Sequence, residues 1–193
     1  VHTTSALMCW AACDRLQCIA HVLGLRERED FWRSHAEQIK ATTLQRSWSK
    51  KREAFVEAFE GEKLDAGVLL MAEIGFIDPH DPRFVATLRA LEKSLGRGAF
   101  MMRYEAPDDF GLPDTSFNIC AFWRVTALAR SGRKEEAREI FEALLANRHH
   151  LGLMSEDIKP ETGEAWGNFP QTYSMVGIIN AAMRLSVPWD TVI

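Results

Sequence analysis

Apolar residues recur along most of this chain at the three- and four-residue spacing of a helix. Leu7, Ala11, Leu16, Ile19 and Leu23 mark a helix over residues 5–23, and Gly24 supplies its stop. A second helix is predicted over 29–44. Residues 47–59 are less regular: Phe55 and Phe59 suit an extended or hairpin stretch as well as a helical turn, and Gly61 breaks it. Residues 64–74 are apolar nearly all round, the pattern of a buried helix. Pro82 fits the first position of a helix running to about Leu95, with Asp81 as its cap. Further helices are predicted over 117–131, 133–147 and 171–185.

The connections are of two kinds. Ser131-Gly132 is a tight joint that makes its flanking helices an antiparallel hairpin, whereas residues 96–116 and 149–170 are long. Long loops within a compact domain are usually functional. The second one places Glu156 among Pro160, Gly163, Trp166, Gly167, Asn168 and Pro170, a mixture that neither a packed core nor a solvated helix face requires. The stretch 132–145 would suit a solenoid repeat and hence a binding scaffold, but no other helix pair repeats it at a fixed period.

Composition narrows the classes. With 193 residues, 47% hydrophobic and a net charge of -4, the chain can bury one sizeable core, so residues 1–193 are expected to form a single domain. Basic residues are interspersed with acidic ones, which excludes a nucleic-acid surface, and no apolar run reaches the roughly 20 residues that span a bilayer. Cys9, Cys13, Cys18 and Cys120 lie among apolar neighbours in helical patterns, as free thiols of a reduced, cytoplasmic protein do. Cys9 and Cys13 share a helix face, yet no second pair completes a metal site. Val1-His2-Thr3-Thr4 resembles neither a signal peptide nor an initiator sequence, so the chain is expected to start inside a longer protein.

Three ordered strings, LDAGVLLMAEIGFIDPHDPRF, MMRYEAPDDFGLPDTSFNICAFW and LGLMSEDIKPETGEAWGNFPQTYS, resemble glycoside hydrolase family 15. That family holds glucoamylases, glucodextranases and some bacterial trehalases. The opening VHTTSALMCWAACDRL resembles the helix after the family's first catalytic loop, so the resemblance covers nearly the whole chain. It implies an all-α fold, the C-terminal portion of an (α/α)6 toroid of helical hairpins with an active-site funnel at one end and its N-terminal hairpins missing.

The same resemblance assigns roles. Glu156 matches the general base of an inverting glycosidase, in which one carboxylate strips a proton from water while a second carboxyl, about 6.5 to 9.5 Å away, protonates the leaving oxygen. The family's general acid, a Glu in a Trp-Glu segment, falls upstream of Val1, so the isolated chain is expected to be inactive. Arg103 matches an arginine that holds sugar hydroxyls, for which a rigid fork of donors is suited. Asp108 or Asp109 matches the acidic position after it, and Trp166 and Trp123 are candidate platforms for sugar faces. Plainer duties stand beside these: a turn cap near Lys159 for Glu156, a surface ion pair for Arg103, a core position for Trp123, helix capping for Asp65, and a helix end for His149 and His150. The implied activity is inverting exo-hydrolysis of α-glucosidic bonds, with release of glucose from an α-glucan, oligosaccharide or disaccharide. No cofactor or metal is implied. The expected partners are the missing N-terminal part or a second copy, with no nucleic acid and no membrane. The alternative is a non-catalytic helical module that binds carbohydrate or protein.

Overall fold

The computed structural model describes residues 1–107 and 111–186. Two long helices, α1 (Thr3–Val22) and α2 (Arg26–Arg46), form an antiparallel hairpin. Gly24 turns it with φ +69°, a backbone conformation that costs glycine little. The irregular segment after α2 is a small hairpin: β1 (Trp48–Ser49) pairs with β2 (Ala54–Phe55). Two buried hydroxyls tie this hairpin down. Thr3 Oγ1 donates to the carbonyl of Val56 at 2.6 Å, and Thr87 Oγ1 accepts from the Phe55 N–H at 2.9 Å.

The helix predicted over 64–74 is instead a four-residue 3-10 helix, Ala66–Leu69, followed by a single turn, α3 (Leu70–Glu73). Asp65 is responsible at one end: its Oδ1 accepts from the Gly67 N–H at 2.6 Å, and its carbonyl takes the three-residue bond from Val68. Gly75, at φ +81°, closes the other end. Asp81 and Pro82 behave as their types demand, and α4 (Pro82–Leu95) starts on the Asp81 cap.

A short hairpin of β3 (Gly96–Arg97) and β4 (Phe100–Met101) leads toward the long connection. Next, β5 (Ser116–Phe117) runs directly into α5 (Asn118–Arg130). α5 is buried on almost every side, with Ile119, Phe122, Val125 and Leu128 in the core, because α6 (Lys134–Leu145) and α7 (Thr172–Leu185) pack on it from different directions. Gly177 of α7 permits that approach: a Cβ there would stand 2.6 Å from the Phe122 ring. α6 stops before His149 and His150, so neither ends the helix as expected. Its last bonds tighten to three-residue ones at Asn147 and Arg148, and the two imidazoles lie beyond it, tilted at 48° with centroids 3.8 Å apart.

Between α6 and α7 the chain adds β6 (Asp157–Ile158) and β7 (Ala165–Trp166) to β5, giving a three-stranded antiparallel sheet. The architecture is therefore all-α hairpins, with the irregular elements gathered where long connections meet. Among the described residues the four cysteines are free, no His/Cys/Asp/Glu cluster could hold a metal, and no helix is long and apolar enough to cross a membrane.

Candidate active site

The site has a floor and an arm. The floor is built around Asp65, whose side chain is 3% exposed. Its Oδ1 caps the 3-10 helix, and its Oδ2 accepts from Arg103 Nε at 3.2 Å. The backbones pair as well, because the Ala66 N–H donates to the Arg103 carbonyl at 2.8 Å. On its other side the Arg103 guanidinium stands 5.3 Å from the centre of the Trp123 ring. A cation held over an indole face and against a carboxylate has few rotamers left, so Arg103 is pre-set in direction. Burial is the largest influence and pulls against its charge, but the Asp65 carboxylate, with further contributions from Cys120 and Tyr173, leaves its pKa above the ordinary arginine value.

Gly67 belongs to the same construction. A Cβ at this position would lie 2.6 Å from Thr4 Oγ1, 2.8 Å from Asp65 Oδ1 and 3.3 Å from Arg103 Nη2, so only glycine leaves room for the three to converge. Below them the buried Cys120 thiol is pushed well above its ordinary pKa by burial and stays protonated. It fills space and does not act as a nucleophile.

Two aromatics extend the floor. Tyr173, in the first turn of α7, meets Trp123 edge-on at 6.0 Å and Phe117 at 6.4 Å. Burial raises its phenol pKa, so it stays neutral and is available as a hydroxyl. Trp123 is therefore a supporting wall for Arg103, half-buried on α5, and not a fully buried core residue.

The arm carries Glu156. Its backbone continues the sheet: its N–H donates to the Asn168 carbonyl at 2.9 Å, and its carbonyl accepts from the Asn118 N–H at 3.0 Å. Behind it the Ser155 carbonyl accepts from Asn118 Nδ2 at 2.9 Å and from Ser174 Oγ at 2.8 Å, both donors being buried. Ahead of it the Ser155 hydroxyl donates to the Asp157 carbonyl at 2.5 Å. The carboxylate itself is held by Asn168, whose N–H and Nδ2 donate to Oε2 at 3.1 and 2.8 Å. Lys159 does not partner Glu156 but pairs with Asp114 at 3.5 Å.

A cavity of about 520 Å³ opens at Arg103 and Asp157, within the range of small-molecule sites. Arg103, Tyr104, Thr115, Phe117 and Asp157 are among its walls. Extended backbone alternates faces, so Asp157 lines the cavity while Glu156, one residue earlier, is not among its walls. Burial raises the Asp157 pKa, and the charge of Glu156 adds to this against a hydrogen bond from Thr115 Oγ1 at 2.7 Å. Asp157, Phe117, Tyr173 and Asn168 were not singled out as site residues by sequence. Of the predicted ones, Arg103 and Trp123 are in contact, Trp166 lies opposite Asp157 in the sheet, and Asp108 and Asp109 fall outside the described residues.

The chain matches the family described as Glycosyl hydrolases family 15 over residues 1–183. It is 36% identical to a trehalase of Mycolicibacterium smegmatis over 186 residues, covering 95% of this chain and 28% of that protein. A trehalase of Thermoplasma volcanium is 34% identical, with 94% and 29% covered. The chain thus spans less than a third of the length of these relatives. Among solved structures, a wild-type glycosidase superposes with a TM-score of 0.81 at 16% identity over 95% of this chain and 52% of that one. A bacterial glucoamylase complexed with acarbose gives 0.79 at 13% identity over 95% and 33%. The hairpins described above are therefore those of part of an (α/α)6 toroid.

Proposed function

The chain belongs to glycosyl hydrolase family 15, and from that premise we propose that it forms the general-base half of an inverting α-glucosidase site whose first substrate is trehalose. Glu156 takes a proton from water, and the water oxygen bonds to the anomeric carbon from the face opposite the departing group. The glycosidic C–O bond breaks as a second carboxyl protonates the leaving oxygen. That second carboxyl would come from the portion of the domain that the relatives have and this chain does not span.

The observation that carries this reading is the Glu156 carboxylate, fixed through Oε2 by two donors from Asn168 and adjacent in sequence to Asp157, which lines a cavity together with Arg103. Among the described residues no donor is assigned to Oε1, the atom that would meet the water. Arg103, braced by Asp65 and Trp123, would hold the sugar hydroxyls. Trehalose is the favoured substrate because the curated relatives are named trehalases. The single domain expected for residues 1–193 is then one part of a larger catalytic domain. The exposed faces of α1 and α7, with Val22 81%, Ile179 57% and Met183 73% exposed, would be covered by that remainder.

The test is stereochemical. Proton NMR of trehalose hydrolysis by the protein carrying this chain with its acid-bearing portion is expected to show one β-glucose formed per bond cleaved before mutarotation. Initial release of α-glucose alone would overturn the inverting assignment.

A further inference from the structure

Asp157 stands in the middle strand of the small sheet, directly opposite Phe117 on one side and Trp166 on the other. Residues paired across antiparallel strands point to the same face, so an aromatic, a carboxylate and an aromatic form one row. The two rings stand two strand spacings apart, about 10 Å, with the carboxylate midway. This is the open face of the sheet. Ser116 and Ile158, of opposite parity, are buried, whereas Phe117 and Asp157 are partly exposed and Trp166 is half exposed. Phe117 and Asp157 both line the cavity that Arg103 enters.

Asp157 has no evident structural duty there. Its one assigned side-chain donor among the described residues is Thr115 Oγ1, which occupies Oδ2 at 2.7 Å. Among the described residues its half-buried carboxyl has no assigned cationic partner, an arrangement that costs stability. A carboxylate oxygen flanked by rings is the chemistry that receives a sugar: the rings cover apolar C–H faces, and the carboxylate accepts hydroxyl protons.

We propose that Asp157 is a substrate-contact residue, its carboxylate accepting hydrogen bonds from a sugar hydroxyl in the Arg103 cavity while Phe117 and Trp166 flank the ring. This rests on the glycoside-binding reading above and adds to it a contact on the opposite strand face from Glu156. Arg103 donates to the sugar and Asp157 accepts from it, so between them they read both directions of a hydroxyl's hydrogen bonding.

The test is equilibrium binding of D-glucose, a product that is not turned over, by titration calorimetry with the protein that carries this chain with its acid-bearing portion. Asp157→Ala is expected to weaken binding about tenfold, the size of a lost hydrogen bond to a charged group. One monodeoxyglucose is expected to lose a similar factor with the wild-type protein and nothing further with the variant. A merely structural role would not produce that coupling to a single hydroxyl. If Asp157→Ala does not fold, judged by near-UV circular dichroism, Asp157→Asn decides, with a loss of at least about threefold expected. Wild-type affinity in the folded variant, or no deoxyglucose showing the coupling, overturns this inference alone. No glucose binding by the wild-type protein with its acid-bearing portion present overturns it together with the glycosidase reading, whereas trehalose turnover by that same sample keeps the glycosidase reading and overturns this inference alone.

Discussion

The floor and the arm of the site are made in different ways. Asp65 and Arg103 are 38 residues apart, and their ion pair is backed by backbone pairing, a helix cap and the Trp123 ring. Every contact serves both the fold and the site. The arm around Glu156 is held by backbone ladders and by Asn168, twelve residues on, and Trp166 and Phe169 at its tip are each 50% exposed. Nothing in the core rests on the Glu156 carboxylate. A guanidinium built into the core and a carboxylate set on a long connection can be altered separately, and this separation yields measurable contrasts.

The largest expected effect is on the floor. Asp65→Ala strands a half-buried Arg103 and removes the cap of the 3-10 helix, and is expected to cost about 3 kcal/mol in denaturant unfolding. A cost below about 1 kcal/mol would mean that the floor is not structural. Gly67→Ala forces a methyl against Thr4 Oγ1 and Asp65 Oδ1 and is expected to cost about 2 kcal/mol by the same assay.

Changes to the arm should spare stability. Asn168→Ala removes the Nδ2 bond to Glu156 and keeps the backbone one. It is expected to lower kcat about tenfold, with KM within about twofold and Tm within about 2 °C. A matching fall in stability would place Asn168 with the floor.

The smallest effect concerns pH. Burial raises the Asp157 pKa in the folded state, so between the ordinary aspartate range and that raised value the folded protein holds the extra proton. Stability therefore falls as pH rises through this window, and the ionised side chain is a burden above it. Asp157→Asn is expected to raise Tm by about 2 °C at neutral pH. That gain should vanish once the pH is below the ordinary aspartate range.

The contrast also explains what could be read from sequence. The long helices were legible because α4 and α5–α7 carry full turns of periodic apolar residues, and Asp81-Pro82 marks a start unambiguously. Residues 64–74 misled because an all-apolar run looks helical, while the break comes from Asp65 capping two residues on. Arg103, Glu156 and Trp166 stand out in the sequence through their motifs. Asp157 does not, because strands of two residues leave no period, and its face is defined only once Phe117 and Trp166 are known to lie opposite. Tyr173 was absorbed into the pattern of α7, although its place just after a long loop was a signal. Asn168 is in sequence only one member of the mixture around Glu156, and its hold on the carboxylate emerges once the two are brought together in space.

The most direct measurement is turnover of trehalose by Glu156→Gln, in the protein that carries this chain with its acid-bearing portion, with glucose affinity measured on the same sample. Loss of the general base is expected to cost about 1,000-fold in kcat, while glucose affinity and Tm stay within about twofold and about 2 °C of wild type. Turnover near the wild-type rate would contradict the assignment of Glu156 as the residue that activates water.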